Sequence, residues 1–182
     1  MTGATVPRRL FDSHCHIIDH RFPLVANQGY LPPPFPAEAY LAQASPLGVR
    51  AGAIVSGSFQ ANDQSYLADV LPRLGPGWVG VTQVAPDCPD AEIARLAGIG
   101  VRAVRFNMFR GRIDSLDDLV ALATRCHAVA GWHAEIYADA SAARPFASSD
   151  IDLVETTLGP ELAQRAFWTN PLALYGVTPP VP

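Results

Sequence analysis

A chain of 182 residues with 49% hydrophobic and 16% charged residues is long enough for one domain with a sizeable core and too apolar for disorder. Its net charge of −4 argues against nucleic acid and anionic membranes as partners, and no apolar run reaches the roughly 18 residues of a membrane span. All 13 basic residues are arginine, so Schiff-base chemistry, a P-loop lysine and a carbamylated-lysine metal bridge are excluded. In chain order, five β-type runs alternate with helical patterns. The first strand spans Arg9 to His16 and leads into a stiff loop, Leu31-Pro32-Pro33-Pro34-Phe35-Pro36. A helix is expected over Pro36 to Ala44, a strand over Arg50 to Ser58, a helix over Asn62 to Leu74 and a strand over Trp78 to Ala85. Next come a helix over Pro89 to Ala97 with Asp90 as N-cap, a strand over Val101 to Met108, and a helix over Ser115 to Ala130 capped by Ser115 and closed by Gly131. The last strand is Trp132 to Asp139, and a final helix runs from Ser149 to Phe167. No internal repeat stands out beyond this β/α rhythm.

Such alternation predicts an α/β fold with a parallel sheet and right-handed crossovers, in which ligands sit at the carboxyl ends of the strands. Cys15, Cys88 and Cys126 are odd in number and lack C-x-x-C spacing, and the amino terminus shows no apolar leader, so a cytoplasmic protein with reduced thiols is expected.

The strand ends hold the candidate chemistry. His14 and His16 project from one face, where they could share a cation or a substrate oxygen, or simply form a hydrogen-bonded pair. Cys15 points the other way, into packing. On the fourth strand, alternation sends Val101, Ala103, Arg105 and Asn107 to one face. A buried Arg105 is costly alone, so it is either a bidentate clamp for a carboxylate or half of an ion pair. Arg110 and Arg112 follow in the next loop. On the fifth strand only Tyr137 and Asp139 stand near the carboxyl end; His133 lies about 13 Å back and belongs to the bottom layer. Tyr137 could donate a hydrogen bond to an oxyanion or fill an interior layer. Ser56, Ser58 and Tyr30 complete the set of binding candidates.

The stretches Phe11-Asp12-Ser13-His14-Cys15-His16, Arg21-Phe22-Pro23 with Tyr30, Gly100 to Asn107, Gly131-Trp132-His133 to Tyr137, and Asn170-Pro171-Leu172-Ala173-Leu174-Tyr175 occur together and in order. On them the sequence resembles the amidohydrolase superfamily, in the amidohydrolase-related branch that includes 2-pyrone-4,6-dicarboxylate lactonase. The resemblance implies a TIM-type (β/α)₈ barrel that hydrolyses a C–O or C–N bond, with decarboxylating relatives. It makes His14 and His16 the first-strand pair, Arg105 and Arg110 carboxylate-binding arginines, and Tyr137 a substrate contact. A full barrel takes about 250 residues. Only five strand units precede the family's last helix, so strands six to eight are expected to be missing between Asp139 and Ile151, and with them a sixth-strand histidine and the eighth-strand catalytic aspartate. Thr169 and Ala173 also replace the acidic and basic residues expected near the end.

The expectation is one amidohydrolase-like domain over 1–182, with 1–146 holding five β/α units of an incomplete TIM-type barrel and 147–177 its C-terminal helix and tail. Its ancestral reaction is hydrolysis of a lactone or similar carboxylated cyclic ester, impaired by loss of the aspartate. The alternatives are a non-catalytic binding or assembly protein, or a decarboxylase-type relative. The cofactor is none, or a weakly held zinc or manganese on His14 and His16. The partners are a small carboxylated metabolite and, because a five-stranded sheet leaves two edges, further copies in a homo-oligomer.

Overall fold

The computed structural model describes residues 10–27, 29–108, 116–138 and 148–165. The chain divides into two compact units, Met1–Ala138 and Asp139–Pro182. The first is built on a parallel sheet of five strands: β1 (Leu10–Cys15), β2 (Val49–Val55), β3 (Trp78–Thr82), β4 (Val101–Asn107) and β5 (His133–Tyr137). Their order is sequential, β1-β2-β3-β4-β5, and every neighbouring pair is parallel. Sequential parallel strands with a helix in each crossover make the first part of a TIM-type barrel, here incomplete: among the described residues β1 and β5 are each paired on one side only. The crossover helices are α1 (Ala37–Ala44), α2 (Ser65–Leu74), α3 (Asp90–Gly98) and α4 (Leu116–Ala130).

The second unit contains α5 (Ser148–Leu158) and α6 (Pro160–Gln164). The single helix expected over Ser149 to Phe167 is therefore broken. Gly159 adopts φ 79°, outside the helical region, and Pro160 has no N–H to continue the ladder, so a new helix starts there. No helix of the described residues is long and apolar enough to cross a membrane.

The main core lies between the helices and the sheet. In α2, Tyr66, Leu67, Val70 and Leu71 form one buried stripe at helical spacing, and they meet Ile54 of β2, Val101 and Val104 of β4, and Ile93 and Leu96 of α3. The opposite face of the sheet carries a small separate cluster of Ala53, Val55, Val81 and Ala103. Val101 does not join Ala103 on that inner face, contrary to strict alternation. It belongs to the helix-side core, because the β3–β4 register slips by one residue between Gly80↔Val101 and Val81↔Ala103.

The slip has a counterpart, and a short sequence repeat marks both. Gly48-Val49-Arg50-Ala51 and Gly100-Val101-Arg102-Ala103 are the same tetrapeptide at two strand entries. Each glycine takes positive φ, 96° and 109°, each valine is buried on the helix side, and each arginine is the residue skipped by the register. Arg50 Nη1 donates to the carbonyls of Ser45 and Val49, both at 2.8 Å, and Arg102 Nη1 does the same to Ala97 and Val101. The bulged arginine thus clips the end of the preceding helical segment to the strand entry, as a second donor to a carbonyl that also accepts the glycine N–H. Gly131 closes α4 with φ 68° and a 2.8 Å bond from its N–H to His127 O, as expected of a C-cap. Asp90 is not the N-cap of α3. Extended Pro89 holds that position, and Asp90 is the first helical residue, acting with Glu92 as negative charge in the first turn. Ser115 lies outside the described residues.

Removing one arginine clip by Arg102→Ala should lower stability by about 1 kcal/mol, and Arg50→Ala by a similar amount, the two adding because they sit on separate strands. Urea unfolding of the two single variants and the double variant checks this.

Candidate functional site

At the carboxyl ends of β1, β2, β4 and β5 the inner face opens into a cleft of about 240 Å³. Its walls include His14, His16, Tyr30, Ser58, Arg105, Asn107 and Tyr137, seven residues separately expected to bind or react, together with Gly57 and Phe59, which were not. Arg110 and Asp139 lie outside the described residues. Ser56 does not reach the cleft. It is fully buried, and its hydroxyl is bonded to Tyr66 OH at 2.8 Å and Thr82 Oγ1 at 2.9 Å, which ties β2 and β3 to α2.

A bulge aims the histidines. In β1 the register passes from Asp12↔Gly52 to Cys15↔Ile54, so three steps along β1 match two along β2. Asp12 and Cys15 consequently share the helix side. Asp12 accepts a 2.7 Å bond from Tyr40 OH and, through its other oxygen, a 3.0 Å bond from the His14 N–H. Cys15 is buried in the core, its thiol 3.4 Å from Ala53 O and pushed up to about 11 by desolvation, which makes it inert at neutral pH. His14 and His16 emerge together on the other side, rings 5.0 Å apart and nearly perpendicular.

Hydrogen bonding assigns their protons. His16 Nδ1 is 2.7 Å from Val55 O, and a carbonyl only accepts, so Nδ1 carries the hydrogen and Nε2 is left as acceptor in the neutral ring. Burial holds the His16 pKa below its ordinary value, the nearby His14 and Arg105 acting in the same direction and the Val55 bond opposing them. His14 Nε2 faces Arg105 Nη1 at 3.4 Å, and a guanidinium only donates, so His14 presents a lone pair there.

Arg105 is 7% exposed, one step along β4 from the inner cluster, with the Tyr137 ring 5.1 Å from its guanidinium carbon. Its Nε is buried and has no hydrogen-bond partner, and no carboxylate among the described residues lies within ion-pair distance of it. Glu135, opposite Arg105 in the β4–β5 register, supports its charge only at longer range while burial works against it. Glu135 instead stands 3.9 Å from His133, which lies low on the strand as its spacing implied. Tyr30 reaches the cleft from the Pro-rich loop, where Asn27 and Tyr30 exchange two backbone bonds of 2.9 and 3.0 Å and Gly29 takes φ 79°.

Whether a divalent cation fits can be judged from the donors. Among the described residues no group of three or more His, Cys, Asp or Glu side chains converges. His16, its Nδ1–H held by Val55, keeps Nε2 open to a cation, but a guanidinium faces His14 Nε2 where a cation would have to approach. Two imidazoles beside a fixed positive charge do not fit a tightly held ion.

Comparison with known proteins places this geometry in a lineage. The amidohydrolase family profile matches residues 11–152. The 2-pyrone-4,6-dicarboxylate hydrolase of Comamonas testosteroni is 30% identical over 139 residues, 74% of this chain and 45% of that protein. The 4-sulfomuconolactone hydrolase of Rhizobium radiobacter is 30% identical over 103 residues, 56% of this chain and 34% of that protein. Among solved structures, a Pseudomonas putida protein assigned as a 2-pyrone-4,6-dicarboxylic acid hydrolase superposes with TM-score 0.57 at 28% identity, covering 69% of this chain and 47% of that one. An apo Agrobacterium tumefaciens protein superposes with TM-score 0.64 at 23% identity, covering 74% and 50%, a likeness of fold. The chain spans about half or less of the length of these relatives. With the family profile matched across most of its length, on a sheet of that architecture, the chain belongs to the amidohydrolase family.

Proposed function

We propose that the cleft binds a carboxylated lactone or a similar cyclic ester and that the chain derives from an enzyme hydrolysing it. The observation that carries this reading is Arg105, a buried guanidinium with an unfilled donor and no carboxylate at ion-pair distance among the described residues. A charge so placed is costly until an anion completes it, and the planar fork of arginine suits a carboxylate. The relatives' names, pyrone-dicarboxylate hydrolase and sulfomuconolactone hydrolase, point to anionic ring esters of the same kind.

In hydrolysis, water adds to the lactone carbonyl and the ring C–O bond breaks, leaving a carboxylate and a hydroxyl. On this reading Arg105, with Arg110 as its proposed companion, Asn107, Ser58 and Tyr30 orient the substrate, and Tyr137 assists at the reacting end. The hydrogen bonds divide the histidines: His14 can donate from Nδ1 toward the carbonyl oxygen, whereas His16 can accept a proton from water at Nε2. No carboxylate is among the described lining residues, and His16, with its lowered pKa, is a weak base. Binding therefore outlasts catalysis.

Three outcomes are expected. Calorimetric titration with a small dicarboxylate should show binding that falls about 10- to 100-fold in Arg105→Ala and is partly restored in Arg105→Lys, the scale of one charge-assisted clamp; unchanged binding in Arg105→Ala would remove the proposal. Lactone hydrolysis by the chain should be slower by about 10²- to 10⁴-fold than a site with a positioned carboxylate base, and turnover on the order of 10 s⁻¹ would overturn the impairment. Elemental analysis of chelator-free protein should find less than one zinc or manganese per chain. Because β1 and β5 each have an open edge among the described residues, we also propose a homo-oligomer, which light scattering at the mass of one chain, 19.5 kDa, would refute.

A further inference from the structure

Gly57 does not use the backbone freedom of glycine. Its φ of −83° and ψ of 168° are open to any residue. What matters there is the missing Cβ: an ideal Cβ would lie 2.3 Å from Phe59 Cε1 and 2.5 Å from Cζ, inside the space of the ring. The Phe59 ring therefore lies directly over the Gly57 backbone. Beside it, at 6.1 Å between centroids and 73° between planes, is the imidazole of His16.

The turn that carries this ring is tied to both flanks of the cleft. The Gly57 N–H donates to Gln60 Oε1 at 2.6 Å, and Gln60 Nε2 donates to Ile17 O at 2.8 Å, the residue after His16. The Phe59 carbonyl accepts the Val25 N–H at 2.8 Å. His16 is thus held by Val55 O at Nδ1, by the perpendicular His14 ring, and by the ring of Phe59. We propose that Phe59, seated over Gly57, is a positioning residue that keeps the His16 imidazole on the Val55 carbonyl and shields it from water, so that Nε2 is its acceptor in the cleft.

Desolvation is the largest influence lowering the His16 pKa, and an apolar ring against the imidazole is the kind of neighbour that produces it. Among the described residues the titratable or charged groups acting on His16 are His14 on its own strand and Arg105 from β4; Glu135 and Tyr137 of β5 act on Arg105. Neither His14 nor Arg105 is altered by changing residue 57 or 59, so a change in the His16 tautomer reports on the ring. The inference goes beyond the lactone reading, and its test uses no turnover.

The experiment is a nitrogen NMR measurement of the histidine ring tautomers in the full chain, at one mildly basic pH with chelator present, for the wild type, Phe59→Ala, Phe59→Leu and Gly57→Ala. The last variant keeps the phenyl ring but displaces it. His127 on α4, bonded to Trp132 O, is the internal reference. The Nδ1–H signature of His16 should give way to a mixture of tautomers in Phe59→Ala and Gly57→Ala and less so in Phe59→Leu, with no change at His127. A His16 tautomer equal to wild type in both Gly57→Ala and either Phe59 variant overturns the proposal, as does an equal change at His127. If Phe59→Ala does not fold, Phe59→Leu and Gly57→Ala decide the matter.

Discussion

An arginine on the inner face of an apolar parallel sheet sets the terms for everything around it. Below Arg105 the face is closed by Ala53, Val55, Val81 and Ala103, whose side chains offer no hydrogen bonds, so apart from the longer-range support of Glu135 the guanidinium is stabilised from above, at the strand ends. The groups gathered there answer to it: the Tyr137 ring against its face, His14 offering a lone pair, Asn107 on the same side of the strand. Among the described residues none of these carries a negative charge, and the anionic ligand proposed above would supply it.

The backbone devices of the sheet serve this arrangement. Parallel strands bring all their carboxyl ends to one rim, but pairing alone leaves each side chain to strict alternation. Three register slips break that rule, at Arg50, at Ser13-His14 and at Arg102. Those at the two arginines let a buried valine turn into the helix-side core at the strand entry while Ala103 and Arg105 face inward farther on. The slip in β1 gives Asp12 and Cys15 to the core side and both imidazoles to the cleft. The same bulge thus separates an inert thiol from the reactive rim one residue away.

Helices hold the outside of the rim in the same economical way. Ser56, Thr82 and Tyr66 form a closed hydroxyl network under the cleft wall, and Asp12 with Tyr40 anchors β1 to α1. Outside it, Asp19, Arg21, Asp69, Arg73 and Glu38 link the β1–α1 connection to α1 and α2 in a chain of ion pairs. These are mostly exposed pairs, each of small worth alone, but together they restrain the loop from which Tyr30 enters the cleft.

The sequence by itself determined the strand and helix order, because hydrophobic spacing and turn residues are local properties of the chain. It also put His14, His16, Arg105, Asn107 and Tyr137 at strand ends, since alternation and strand length need no partner strand to be counted. What it could not determine were relations between segments. Whether Val101 faces helices or cleft depends on a slip against β3; whether Ser56 binds a ligand or Tyr66 depends on where α2 packs; and the worth of Gly57 depends on a ring two residues later folding back over it. The break at Gly159-Pro160 is locally legible, since a proline cannot continue the hydrogen-bond ladder of a helix that reaches it. The tertiary structure alone decided these points, because register, packing side and desolvation are properties of two surfaces in contact, and a single sequence describes only one surface at a time.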